Sequence, residues 1–142
     1  MPALEDVTGW GVRLWTWDGG VVNAPHLTSI QPQSGILADG PGSKVDLSSL
    51  RDYQGALIEV RNGGEVVFST EQIENADITA IGAASKLNLS HLAKLDSLTL
   101  KAFTGAQFAF PLVDRLDRGT FRTGGGNSRI DLSAVQTIEA PP

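Results

Sequence analysis

The sequence predicts an all-β fold: a right-handed parallel β-helix, or β-solenoid, of about six coils with a repeat of about 21 residues. Two observations predict this fold. A short motif of apolar residues ending in Ser or Pro recurs at nearly constant spacing, and stretches of alternating apolar residues lie between its copies. Alternation with a period of two is the pattern of a strand with one buried face.

The motif reads apolar residue, any residue, apolar residue, then Ser or Pro. Its copies begin at residues 22, 45, 66, 87, 108 and 130, at intervals of 21 to 23 residues. One coil cannot bury its apolar side alone, so successive coils must stack, with neighbouring strands about 4.8 Å apart. The first residues of the motifs are therefore predicted to form a buried ladder, which includes Val45, Val66, Leu87, Phe108 and Ile130.

The alternating stretches and the turns complete one coil. Alternation occupies residues 12–16, 56–60, 98–102 and 119–123, and segments rich in Gly or small polar residues lie at 40–42, 62–64, 104–105 and 124–127. A Leu-x-x-Leu corner, such as Leu92 and Leu95, separates the motif from the next stretch. Each coil is thus predicted to hold two strands, a Ser/Pro bend, a corner and a glycine turn. Because the coil is longer than one built from hexapeptide repeats, we expect the right-handed form.

Composition narrows the classes of function. The 142 residues fit one domain, residues 1–142. The net charge of −5 argues against binding nucleic acid through its phosphates. The chain has no Cys, which excludes thiolate zinc sites and cysteine nucleophiles, and we expect no cofactor. No apolar run reaches the roughly 20 residues that span a bilayer. Residues 1–6 lack a signal-peptide pattern, and we expect no membrane insertion.

All three Trp lie within residues 10–17. If Val12 and Leu14 face inward, Trp15 and Trp17 face outward together with Arg13. Exposed Trp side chains stack on sugar rings or anchor partners, because a rigid ring loses little entropy on binding. Arg13, Trp15 and Trp17 are therefore the candidate binding residues. The alternative is that the Trp side chains cover the first coil or pack against a neighbouring chain.

Three acidic residues, Glu71, Glu74 and Asp77, stand in columns that are elsewhere apolar or small. Carboxylates grouped in this way could hold Ca²⁺. Burying three unpaired carboxylates would cost far too much free energy. We expect instead a local register slip that turns Ile73 and Ala76 inward and leaves the acids in water, so no metal site is predicted.

No catalytic residue is predicted. Asp46 and Asp131 share an outward column, but they are four coils apart, about 19 Å at the strand spacing. A catalytic carboxylate pair needs a much shorter separation, about 5–10 Å. In the neighbouring column, Lys44, Glu65, Lys86, Gln107 and Arg129 are predicted to form an outward ladder with ion pairs between coils, each worth about 0–1 kcal/mol.

Three units share one pattern: residues 44–50, 86–92 and 129–135. They resemble the β-solenoid arrays of large bacterial surface proteins and, more distantly, the coils of receptor L-type domains. The resemblance transfers no catalytic residue. It implies an extracellular or cell-surface location in bacteria and a role as spacer, adhesin or carbohydrate-facing scaffold.

A leucine-rich repeat is the alternative fold. Leu92, Leu95, Leu98 and Leu100 have the spacing of one such unit, but Phe103 stands where its Asn should follow.

The stack also has no obvious capping helix at either end. We therefore expect a segment of a longer array or self-association through open ends.

The sequence therefore predicts a non-enzymatic scaffold or spacer with an adhesive surface. The alternative is a carbohydrate-binding module that uses the Trp face, with a glycan or a protein as partner. A third hypothesis is a β-helix enzyme of the polysaccharide-lyase type.

Overall fold

The computed structural model describes residues 6–7, 11–53, 55 and 57–139. In these residues the fold is all-β and every strand pairing is parallel. The chain forms a β-solenoid of about six coils with a spacing of about 22 residues, which confirms the predicted fold class. Its handedness stays a prediction. The described residues contain no helix long and apolar enough to cross a membrane.

Each coil passes through three sheets. The long sheet has six strands, Arg13–Trp17, Gly35–Asp39, Leu57–Arg61, Asp77–Ile81, Leu98–Phe103 and Gly119–Gly124, and we number the coils 1 to 6 by these strands. The short sheet contains Val21–Asn23, Lys44–Leu47, Glu65–Phe68 and Lys86–Leu87, followed by the separate pair Gln107–Ala109 and Arg129–Asp131. The corner sheet has two parts, one of Asp6–Val7, Ser29–Ile30 and Asp52–Tyr53 and one of Gln72–Glu74, Lys94–Asp96, Arg115–Leu116 and Thr137–Ile138.

The corner contains a third strand in each coil, where the sequence predicted only two strands. Leu92 and Leu95 both point into the core. A spacing of three cannot belong to one strand, since successive side chains of a strand alternate between its faces. The chain therefore bends between the two Leu residues and becomes extended again on a third face, where Leu95 pairs with Ile73 and Leu116. This third face also excludes the leucine-rich repeat.

The predicted ladder forms the centre of the core. Val45, Val66, Leu87 and Phe108 are buried, and Ile130 is partly buried. Val66 pairs with Val45 on one side and with Leu87 on the other, and Phe108 pairs with Ile130. The ladder is confirmed. Ile130 is less covered because, among the described residues, no further coil stacks on it.

Coil 3 is shortened at its bend. The strand partners Leu57 and Asp77 are 20 residues apart in the sequence. This is the shortest interval between partners in the long sheet, where the others are 21 or 22 residues. Ile73 and Ala76 are buried and Glu71 is exposed. The predicted register slip is confirmed: loss of bend residues turns the acids away from the core and keeps the strands paired.

The charged column of the short sheet has the predicted register but not the predicted ion pairs. Lys44 and Glu65 are strand partners, yet the Lys44 ammonium lies 3.8 Å from Asp46 on its own strand. Arg129 likewise lies 2.8 Å from Asp131. Residues i and i+2 of a strand share one face, so an acid on the same strand competes with an acid on the next coil. The prediction of ion pairs between coils was wrong for this column.

The chemical repeat spans two coils, because the glycine turns alternate between two forms. The short form has two successive residues of positive φ, at Asp18–Gly19, Asn62–Gly63 and Thr104–Gly105. The long form has one more residue and a Ser three places after its first Gly, at 40–43, 82–85 and 125–128. The bends alternate in step, since Asp46, Asn88 and Asp131 precede a Ser by two residues in the coils with long turns.

Packing between neighbouring turns explains the alternation. A Cβ at Gly63 would lie 3.6 Å from Cα of Pro41 and 3.8 Å from Cβ of Ala84, which belong to the long turns on either side. At Gly105, a Cβ would come within 3.2 Å of Cβ of Ala83. The glycines of the short turns therefore leave the space that the wider long turns occupy. Two long turns stacked directly would place Pro41 against Ala83 and Ala84.

A buried hydroxyl joins the two kinds of turn. Ser43 is 1% exposed; its hydroxyl donates to the carbonyl of Asp39 at 2.7 Å and accepts the N–H of Gly19 at 3.0 Å. In the last pair of coils, the Ser128 hydroxyl accepts the N–H of Gly105 at 2.8 Å. The hydroxyl of a long turn thus satisfies a backbone donor of the short turn before it.

Replacing Leu89 by Asp should unfold the solenoid. Leu89 is 2% exposed, so the substitution places an unpaired charge in the core and should lower the free energy of unfolding by more than about 4 kcal/mol. The matched control is Asn88→Asp, because coils 2 and 6 carry Asp at the same outward position. Urea denaturation measures both variants, and an unchanged midpoint for Leu89→Asp would contradict its place in the core.

Deleting a pair of coils should be tolerated better than deleting one. Removal of residues 44–85 leaves four coils in which short and long turns still alternate, whereas removal of 44–64 leaves five coils with two long turns stacked together. If stability simply added up coil by coil, the five-coil variant would be the more stable. We expect the four-coil variant to keep a cooperative thermal transition and the five-coil variant to melt at a lower temperature. The reverse order would show that one coil is the repeating unit.

Candidate binding groove on the long sheet

The strand Arg13–Trp17 presents all three candidate residues on the outward face of the long sheet. Trp15 is 47% exposed and Trp17 is 61% exposed, and Arg13 is exposed as well. Between them Leu14 packs against the core and Thr16 is buried. The predicted orientation of the strand is confirmed. The remaining Trp of the sequence lies outside the described residues.

Arg13 and Trp15 stack on each other. The guanidinium carbon of Arg13 lies 5.3 Å from the centroid of the Trp15 ring, which is within the range of a cation–π interaction. Within the described part of the chain, Arg13 has no carboxylate oxygen within 4.0 Å. The stack restrains the guanidinium group, and no ion pair with the described residues uses its N–H donors.

A groove of about 460 Å³ opens beside this pair, and Gly35 lies at its centre. Gly35 is the strand neighbour of both Arg13 and Leu57. A Cβ at Gly35 would lie 3.7 Å from Nε1 of Trp15 and 3.9 Å from Cγ of Arg13. The indole N–H edge therefore borders the space that a side chain would fill. Across this space Leu57 is 48% exposed, so the wall opposite Arg13 is apolar.

A second missing side chain widens the groove at the corner. Gln33, Gly55 and Asn75 each precede a strand of the long sheet by two residues, and each has a positive φ, of 67°, 65° and 53°. The N–H of Gln33 donates to the carbonyl of Gly55 at 2.8 Å, which stacks these residues in one column. Because the middle residue has no side chain, the two amide side chains flank an opening that continues from Gly35.

The groove retains one positive charge. Among the described residues that line it, the only charged ones are Arg13 and Asp77. Lys101 neutralises Asp77, with its Nζ 2.9 and 3.2 Å from the two carboxylate oxygens. Elsewhere, several basic residues form an ion pair with an acid two positions away in the sequence, on the same strand or just beyond its end. These pairs are Lys44–Asp46, Arg61–Glu59, Arg115–Asp117 and Arg129–Asp131. Arg13 has Trp15 at that place, so the ion pair found at those basic residues is replaced by a cation–π contact, on a chain whose net charge is −5.

Trp17 shares the face but does not line the groove. Its strand neighbour is Asp39, which accepts a hydrogen bond from the Asn62 side chain at 2.8 Å and lies 4.0 Å from Arg61. The structure thus brings Arg13 and Trp15 together with Gly35 and leaves Trp17 as a separate exposed ring beside a charged network.

The acidic residues weighed as metal ligands do not converge. Glu74 accepts a hydrogen bond from the side chain of Gln72, and Asp77 is paired with Lys101. Among the residues described by the structure, no group of three or more His, Cys, Asp or Glu side chains is arranged to hold a metal ion.

The acids of the short sheet cap bends. Asp46 accepts the N–H of Ser48 at 3.1 Å, and Asp131 accepts the N–H of Ser133 at 2.9 Å. Asn88 makes the same bond to Ser90 at 3.0 Å. Hydrogen bonds from the Ser133 side chain and backbone, with Arg129 alongside, hold the pKa of Asp131 below its ordinary value. These carboxylates therefore act as local hydrogen-bond acceptors that fix the chain where it leaves the short sheet.

Sequence reasoning found Arg13 and Trp15 but missed the residues that make the groove. The missed residues are Gln33, Gly35, Gly55, Leu57, Asn75 and Asp77. One signal was present: Gly35 opens a strand at an outward position, and its equivalents in the other five coils all have a side chain. These equivalents are Arg13, Leu57, Asp77, Thr99 and Thr120. A small residue in an otherwise filled outward column marks a gap in the surface.

Comparisons with protein-family models, with curated proteins and with solved structures give no match. The function of this chain must therefore follow from its own residues, first among them Arg13, Trp15 and Gly35.

Proposed function

We propose that this chain is a non-enzymatic β-solenoid scaffold with an adhesive face, on which Arg13, Trp15 and Trp17 contact a glycan or a protein partner. The observation that carries the proposal is the exposure of two Trp side chains, 47% and 61%, on one strand of the long sheet. Exposed aromatic side chains on a rigid element offer a large contact area at a small cost in conformational entropy.

The stacked core supports the scaffold part of the proposal. Side chains of successive coils form continuous apolar columns, so the rod is stiff and its length is set by the number of coils. The resemblance of residues 44–50, 86–92 and 129–135 to surface arrays suggests an extracellular or cell-surface bacterial protein. Self-association through the ends of the stack remains a further prediction.

The engagement of the outward acids supports a binding role over a catalytic one. Asp46 and Asp131 accept backbone hydrogen bonds at bends, and Asp77 is paired with Lys101. A general acid or base must be able to exchange a proton with a substrate within hydrogen-bond reach. Side chains already used to hold the chain at a bend are poorly placed for that task.

Replacing both Trp15 and Trp17 by Ala should abolish adhesion without unfolding the chain. Interface Trp residues often contribute 2 kcal/mol or more, so affinity should fall by about 30-fold or more. Binding is measured on an array of immobilised bacterial and plant polysaccharides, and the fold is checked by thermal denaturation. The matched control is Arg122→Ala, which changes an exposed residue of the same sheet in coil 6.

Two results would contradict the proposal. Loss of the cooperative transition in the double variant would show that the Trp side chains are a structural cover for the first coil. Equal binding by the wild type and the double variant would show that adhesion uses another surface.

A further inference from the structure

We propose that the groove at Gly35 binds one hexuronate unit of an acidic polysaccharide. In this arrangement the sugar carboxylate meets Arg13 and the ring lies over Gly35, between Trp15 and Leu57. The inference rests on the proposed adhesive function of this face and names the class of ligand that the face recognises.

The shape of the groove matches a single ring. Arg13 and Leu57 stand on strands two steps apart, about 10 Å at the usual strand spacing, and Gly35 between them contributes no side chain. The volume of about 460 Å³ lies within the range of small-molecule sites. Leu57 offers apolar surface to the C–H face of a pyranose, and the indole N–H of Trp15 on the other side can donate a hydrogen bond to a ring substituent.

The charge of the groove selects an acid. A guanidinium group binds a carboxylate through two parallel N–H donors, and stacking on Trp15 already restrains that of Arg13. Asp77, an acid in the lining, is neutralised by Lys101 at 2.9 Å. The groove is therefore locally positive although the chain is acidic.

The polar rim favours a sugar over an acidic peptide. Gln33 and Asn75 place two amide side chains on the corner side of the groove, and the indole N–H of Trp15 borders it on the sheet side. Each amide can both donate and accept a hydrogen bond, which suits a ring of hydroxyl groups that do the same. A peptide carboxylate also accepts hydrogen bonds only, and the peptide adds one N–H donor per residue of backbone, whereas the ring of a hexuronate carries several adjacent hydroxyl groups that each donate and accept.

Gly35 allows the groove to be closed without damage to the fold. It is not among the glycines with positive φ, and a Cβ there would make only ordinary contacts at 3.7 and 3.9 Å. Gly35→Leu should therefore fold and fill the groove. The matched control is Thr99→Leu, which adds an apolar side chain in the same outward column, three coils further along and outside the groove.

The experiment compares acidic and neutral sugars of the same ring configuration. Oligomers of galacturonate, glucuronate and mannuronate, each paired with its neutral hexose counterpart, are titrated into the full chain by calorimetry. We expect at least one acidic oligomer to bind at least tenfold more tightly than its counterpart. Gly35→Leu should weaken that binding at least tenfold at an unchanged or higher melting temperature, and Thr99→Leu should not. Arg13→Gln should reduce the acidic oligomer to the affinity of the neutral one, and Arg13→Lys should restore part of the difference.

Three results would overturn the inference. The first is equal affinity for acidic and neutral oligomers, and the second is unchanged binding in Gly35→Leu. The third is competition by polyglutamate at the same concentration of carboxylate, which would identify an acidic peptide as the ligand. If Gly35→Leu binds normally while the Trp15 and Trp17 double variant does not, the adhesive face stands and only the hexuronate groove is wrong. If the wild type binds nothing on the polysaccharide array, the glycan-binding face is wrong as well.

Discussion

Parallel backbone pairing between successive coils is the constraint on which the rest of the structure depends. Pairing at about 4.8 Å places equivalent residues of neighbouring coils directly above one another, so the fold consists of columns rather than of isolated contacts. An inward column must stay apolar along its whole length, because a charge in it would lie between apolar neighbours above and below. Coil 3 shows how firmly the pairing is kept. The interval between strand partners is shortest there, yet Leu57 still pairs with Asp77, and Ile73 is buried and pairs with Leu95.

The outward columns are under no such demand, and there the sequence is free to vary. In the column that begins with Arg13, the residues that follow are Gly35, Leu57, Asp77 and Thr99. Such a column forms a groove where one residue has no side chain and its neighbours on the adjacent strands have long ones. Gly55, in the corner column of residues with positive φ, also has no side chain and leaves a second gap beside the one at Gly35. A groove thus arises on a repetitive fold from two absent side chains, without any change in the backbone pairing of the long sheet.

The sequence was sufficient to predict the coils, the buried ladder, the slip near Glu71 and the outward orientation of Trp15 and Trp17, because all of these follow from residue periodicity. It did not show the third strand, since a two-residue strand such as Asp52–Tyr53 has no periodicity of its own. The groove was missed because it depends on which residues become neighbours across coils, such as Gly35 and Leu57. The two-coil repeat could have been found: the recurring Asp/Asn-x-Ser bends and the alternating glycine turns are visible in the sequence once coils are compared two apart.

Ion pairs within one coil and the groove across several coils depend in different ways on the order of the coils. Where a basic residue finds its acid on the same coil, as in Arg61 with Glu59 at 2.8 Å, that ion pair does not depend on which coil lies next to it. The groove is different, because it draws on consecutive coils in a fixed order: Arg13 from coil 1, Gly35 from coil 2, Leu57 from coil 3 and Asp77 from coil 4. Coil 5 supplies Lys101 as the partner of Asp77, and among the described residues neither coil 5 nor coil 6 contributes to the lining. The candidate groove is therefore confined to coils 1 to 4. Adding or removing coils beyond them would change the distance between the groove and the far end of the stack.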